Sequence, residues 1–276
     1  RDVLGSRGLG DVYKRQDITT IVAALESTSV YSIHIANYLS SCEELMRFKP
    51  YVFVLNPKCT ANYKKSYIGL GKSDPIDAFV IADYARAGNI ESEPWRGSQF
   101  LALKRLTRHR LHLVECMTRE KTYLVSNLYL KFSELQMLEG DDQPFCDIYG
   151  ATSSSVLMEY FSPEEILDSS EEDLIAFLAK KSRNRIKDIS KTADLLKKAA
   201  RDSYRLDKAL YEPLNVSIAS SFNCIETFKR EIKVIDNAIE KEIKGLNPNA
   251  FIILQSIDGI GPVFAGGIIA EIGDIT

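Results

Sequence analysis

"ITTIVAALESTSVYSIHIANYLSSCEELMRFKPYVFVL", residues 18–55, decides the fold class. Its first eight residues form an unbroken apolar and β-branched run, which reads as a buried strand. "VYSIHIANYLSSC", residues 30–42, spaces its apolar side chains as a helix does, and "YVFVL", residues 51–55, is a second strand closed by Asn56-Pro57. A second helix follows in "GLGKSDPIDAFVIADYAR", residues 69–86, running from Pro75 to about Ala87 and stopped by Gly88. Strand, helix, strand and helix joined by short connections is the grammar of an α/β domain.

That second helix opens on Asp74 and Asp77, three residues apart, and they support two readings. Asp before Pro is a helix start: Asp74 can accept from the unpaired N–H groups, and Pro75 has no N–H to leave unpaired. Asp77, in the first turn, suits the positive end of the helix dipole. Alternatively, residues i and i+3 share a helix face, so the two carboxylates could hold a hard cation such as Mg²⁺ with partners from elsewhere in the chain. The stretch alone leaves both open.

Beyond Ser98 the pattern turns to long helices. "FLALKRLTRHRLHLVECMTREKTYLVSNLYL", residues 100–130, is one helical run. Ile218, Phe222, Ile225, Phe228, Ile232, Ile235, Ile239, Ile243 and Leu246 step by threes and fours, a coiled-coil-like seam best read as a packing device. Between these runs lie a loop at "EGDDQPFCDIYG", a capped helix at "SPEEILDSSEEDLIAFLAKK" and another at "KTADLLKKAARDSY". Near the end, the Gly259-Ile260-Gly261 turn and a Pro-started helix resemble a helix–hairpin–helix, whose glycines expose N–H groups to a phosphate. Glycine turns that only connect helices look the same.

Composition narrows the function classes. The formal net charge is −3, which argues against a wholly basic nucleic-acid binder but not against local patches. Basic residues gather around Arg105 and Arg108, and again around Lys181 and Arg183; such runs are solvated faces unless other nucleic-acid signals accompany them. No apolar run reaches the length of a membrane span and no secretory signal is visible. The five cysteines are scattered and odd in number, which suits a reducing cytoplasm. His109, His112 and Cys116 could share a helix face, but they lack a fourth zinc ligand and read as ordinary surface and core.

"SRGLGDVYKRQ", residues 6–16, has neither hydrophobic period nor capping logic, and it is what a common sequencing adapter encodes when translated. Residues 1–16 are therefore set aside as an adapter-derived scar, with native sequence expected from near Asp17.

"ALESTSVYS", "NPKCTANYKKSYIGLGKSDPIDAFVIADYA" and "LQSIDGIGPVFAGGIIAEIGD", in this order and at this spacing, resemble the DEDD transposases of bacterial insertion sequences, the family numbered one-ten. The resemblance spans nearly all of residues 17–276. It implies a partial RuvC-like (ribonuclease H-like) α/β domain over 17–95, a helical coiled-coil insertion over 96–245, and the start of a helical C-terminal transposase domain over 246–276. It also implies four metal-binding carboxylates. Glu26 stands where the family has a Glu at a strand end, and Asp74 and Asp77 match its helix pair; Asp17 does not match the fourth, an Asp on the first strand. The family further implies a serine nucleophile downstream of "AEIGD", a role that Ser256 does not match. The chain is thus expected to be a piece cut at both ends and inactive alone. Ser29 replaces the family's Gly after "EST", and Asp258 its Pro before "GIG".

The function so implied is metal-dependent cleavage and transfer of DNA strands on a two-Mg²⁺ site, in the bacterial cytosol. Its partners would be DNA (element ends and target), a guide RNA as in some members, and other copies of the chain through the long helices. Lys72, beside the aspartates, is the candidate phosphate contact, joined by Arg105, Arg108, Lys181, Arg183, Gly259 and Gly261. Two rivals remain: a RuvC-like structure-specific nuclease of the junction-resolvase kind, and a helical nucleic-acid-binding or oligomerisation protein whose carboxylates only cap helices.

Overall fold

The computed structural model describes residues 19–67 and 69–273. Asp17 and the segment 1–16 lie outside these residues. The described residues divide into two compact units, one within 19–105, 242–254 and 267–273, the other of residues 106–241 and 255–266. Most described residues are helical.

In the first unit, β1 (Ile21–Glu26) and β2 (Pro50–Leu55) pair in parallel, from Ile21 opposite Pro50 to Glu26 opposite Leu55. Parallel pairing needs a crossover, which α1 (Tyr31–Ser41) and the single turn α2 (Glu43–Met46) supply. β1 begins three residues later than the apolar run suggests and takes in Glu26 as its last residue. Ala36 of α1, Val52 and Leu55 of β2, and Val80 are buried. The Trp95 backbone N–H donates to the Val52 carbonyl (2.6 Å) and its indole to Asn37 Oδ1 (2.9 Å), fastening the segment after the sheet to both layers.

One helix here departs from the sequence reading. Asn56-Pro57 does more than close the strand: it starts α3 (Pro57–Lys64). Asn56 is the N-cap, its side chain accepting from the Lys58 N–H at 2.9 Å, and Pro57 takes the first helical position, where no N–H is needed. α4 (Asp74–Arg86) follows.

In the second unit, residues 106–131 of the long α5 (Ser98–Lys131) and residues 208–241 of α10 (Lys208–Leu246) enclose a core with α6 (Ala151–Glu159), α7 (Pro163–Asp168), α8 (Glu171–Ser182) and α9 (Ile189–Asp202). Leu124, Leu128, Leu174, Leu178, Leu196 and Ile218 are fully buried in it. Arg110 ties α5 to Asp236 of α10 at 2.5 Å. The seam is buried at Ile218, Phe222, Ile225, Ile232, Ile239 and Ile243, as its spacing requires. The stretch expected as one helix at 162–181 is two, because Ser170 caps a fresh helix by accepting from the Asp173 N–H at 3.0 Å. The C-terminal α11 (Pro248–Gln255) and α12 (Pro262–Ile272) flank the glycine turn.

Candidate active site

Glu26 sits at the carboxyl end of β1, and β2 ends beside it at Leu55, so the chain leaving β2 must pass the Glu26 carboxylate. The Asn56 cap turns that chain into α3 at once, which brings Thr60 next to Glu26. Thr60 is buried, and its hydroxyl is 3.0 Å from Glu26 Oε1 and equally close to the Pro57 carbonyl. Lys64 follows one turn later on the same helix face, and its ammonium lies 2.5 Å from Asp77 Oδ1. α3 therefore offers a donor to each of two carboxylates, one on the sheet and one on α4.

Glu26, Thr60, Lys64, Lys72 and Asp77 all line one cavity of about 370 Å³, floored by Val80 and Ile81. Asp74 does not line it. α4 begins at Asp74 itself, with Ser73 in the cap position, and no side chain makes a capping hydrogen bond there. Of the two readings of Asp74, the capping one is thus corrected: it occupies the first helical position, exposed, where its charge favours the dipole. Three of the residues singled out from sequence, Glu26, Asp77 and Lys72, are brought together. A second, mostly apolar cavity of about 570 Å³ reaches Glu26 along β1, α1 and α4.

Carboxylate oxygens are the donors that a hard divalent cation takes, and an ammonium already stands against one of them, so Glu26 and Asp77 fit such an ion in kind. Among the described residues, no group of three or more His, Cys, Asp or Glu side chains is gathered closely enough to hold a metal.

Sequence reasoning missed Thr60 and Lys64; the Asn-Pro pair was the signal for the helix that carries them. It also missed Asp83, the most strongly perturbed carboxylate near the site. Asp83 accepts from Tyr67, from Arg86 (2.5 and 2.8 Å) and from Tyr63 (2.8 Å). These donors, Tyr67 foremost, then Arg86 and Tyr63, hold its carboxyl down at about 2, while the Tyr67 hydroxyl is pushed up. Tyr63 neighbours Lys64 in α3, so this cluster pins α3 to α4 beside the cavity.

Of the candidate phosphate contacts, Arg105 and Arg108 are exposed on α5, one turn apart. Lys181 is ion-paired with Glu159 and lies over the Phe177 ring. Arg183 is exposed and ends α8 in the left-handed conformation. Gly259 has φ +88°, a conformation that favours glycine, and a side chain at Gly261 would meet open space. The Cys116 thiol faces His112 at 3.7 Å and accepts from Arg119 at 3.4 Å.

The family model DEDD_Tnp_IS110, described as "Transposase", matches residues 6–133. The match covers β1, β2, α3, α4 and α5, and so every residue of the cavity. It begins within the segment set aside as adapter-derived. No curated protein and no solved structure matches the chain.

Proposed function

Through residues 6–133 the chain belongs to the transposase family DEDD_Tnp_IS110, and from that premise we propose that the cavity of Glu26 and Asp77 is its phosphodiester-transfer site. A transposase acts on DNA. The observation that carries the finer reading is the convergence of two carboxylates and two lysines, Lys64 and Lys72, on one cavity at a strand end.

The carboxylates would hold Mg²⁺, which when bound stabilises charge on the attacking and leaving oxygens of a phosphodiester. Thr60 fixes the Glu26 carboxylate by donating to Oε1, and α3 and α4 keep Asp77 facing the same space. Lys72 is exposed at the cavity wall and gives a phosphate a positive partner without occupying a carboxylate. Glu26 and Asp77 together supply few ligands, so the chain as it stands is proposed to bind nucleic acid without recombining it. We extend the reading to a RuvC-like α/β domain, to self-association through the long helices, to a guide RNA as further partner, and to action in the cytoplasm. Among the described residues no helix is long and apolar enough to cross a membrane.

The test is equilibrium binding of the chain to duplex DNA with and without Mg²⁺. Mg²⁺ should tighten binding of the wild type, and Glu26→Gln and Asp77→Asn should each remove that increment while metal-free binding persists. No DNA binding would defeat the transfer-site reading, and no Mg²⁺ increment in the wild type would defeat its metal dependence. A preference for four-way junctions over linear duplex would favour the resolvase reading.

A further inference from the structure

The cavity holds one feature that a set of carboxylates does not need: a lysine seated on one of them. Lys64 Nζ lies 2.5 Å from Asp77 Oδ1, and the lysine side chain is only 24% exposed. Its place is set by α3, whose preceding turn places the Thr60 hydroxyl on Glu26. Two carboxylates sharing a cavity repel each other, and one ammonium between the helices relieves that repulsion.

We propose that Lys64 is the resident counter-ion of Asp77, which a divalent cation must displace, and that the displaced ammonium then contacts a phosphate of the nucleic acid in the same cavity. This rests on the metal-binding reading of Glu26 and Asp77. Lysine suits such an exchange: it is a compact point charge on a flexible four-carbon stem, able to leave one oxygen and reach another nearby. A cation on Asp77 and the Lys64 ammonium carry like charge and want the same oxygen, so they compete. With the cation in place, Lys64 keeps Lys72 company on the cavity wall, where a phosphodiester backbone is the anion of matching charge. The site is thereby kept neutral when empty of metal and basic when loaded. Nucleic acid and cation then favour each other's binding.

The experiment is titration of the chain with Mn²⁺, read from the electron paramagnetic resonance of the unbound ion, on the wild type, Lys64→Met and Asp77→Asn. Lys64→Met should tighten Mn²⁺ binding by about 1.5- to fivefold, the effect of removing one partly exposed neighbouring charge. Asp77→Asn should abolish that binding. In the presence of Mn²⁺, Lys64→Met should also lower the salt slope of DNA binding by about 0.9, one phosphate contact. Lys64→Gln removes the charge while keeping a polar end, and gives the same answers if the Met variant does not fold. Unchanged or weaker Mn²⁺ binding in the Lys64 variants, with wild-type binding still lost in Asp77→Asn, overturns the counter-ion role alone. An unchanged salt slope overturns the transfer of Lys64 to phosphate. Mn²⁺ binding that survives Asp77→Asn, or is absent throughout, overturns the metal reading and this inference with it.

Discussion

At the scale of single residues, backbone conformation makes a departure from the family pattern costly. Ser29 stands where the resemblance expects glycine, and its φ is +52°, in the left-handed region where a Cβ is costly. Ser29→Gly should therefore stabilise the chain, by about 0.5–1 kcal/mol, read as a raised urea midpoint at constant slope. Gly273 of the "AEIGD" motif is glycine because its φ is +90°, a conformation that L side chains rarely adopt; a Cβ there would also displace the Arg96 guanidinium, the mobile end of a flexible side chain. Lys131 is a different kind of outlier, a lysine 1% exposed. Its ammonium donates to the Leu157 and Tyr160 carbonyls at 2.6 Å and to Asn215 Oδ1 at 2.5 Å. Burial still pulls it down to about 8, with Glu165 opposing. The unfolded chain keeps that proton up to the ordinary lysine range, so between pH 8 and about 10.5 the unfolded state binds more protons and stability rises with pH. Lys131→Met strands three acceptors and should cost about 2–4 kcal/mol at pH 7. Chemical denaturation across that pH range should show the wild type's advantage over Lys131→Met widening as pH rises.

At the scale of elements, the short α3 matters more to the site than its length suggests. It carries Thr60 to Glu26 and Lys64 to Asp77, and it stands on one cap. Asn56→Ala removes the acceptor for the Lys58 N–H and should cost about 1 kcal/mol. The same variant should speed amide exchange across residues 58–61 while leaving the seam of α10 as protected as before. Uniform loss of protection in both helices would mean that the cap acts on the whole fold rather than on α3. The long α10 behaves in the opposite way: no single cap decides it, because its stability is spread along buried positions from Ile218 to Ile243.

At the scale of the whole molecule, charge is the relevant quantity. A net charge of −3 spread evenly would repel DNA, so the DNA binding proposed above requires local basic surfaces. Arg105 and Arg183 are exposed and belong to different compact units. If each contacts a phosphate, Arg105→Ala and Arg183→Ala should each reduce the slope of log affinity against log salt by about 0.9, and the double variant by about twice that. A slope unchanged in one single variant removes that arginine from the interface. Lys181→Ala should change the slope less, since its ammonium already has Glu159 as partner.

Much of this was legible in the residues themselves. The parallel strands, the α1 crossover, the α4 start near Asp74, the long helices and the seam all follow from periodicity and from Gly, Pro and Asn placement, which act over a few residues of chain. The order of three motifs was enough to indicate the family. What the local pattern could not give was the company each side chain keeps. Asp74 and Asp77 look equivalent on a helix face, yet Asp77 lines the cavity and carries the Lys64 ammonium of α3, and Asp74 does not line it. The lysine on Asp77 comes from thirteen residues away, and the threonine on Glu26 from thirty-four. Lys131 reads from sequence as one more charge at a helix end, and only the packing of α6 and α10 around it makes it a buried donor. Periodicity fixes which face of an element is apolar; which carboxylate meets which cation is fixed by packing between elements distant in the chain, and only the tertiary structure contains that information.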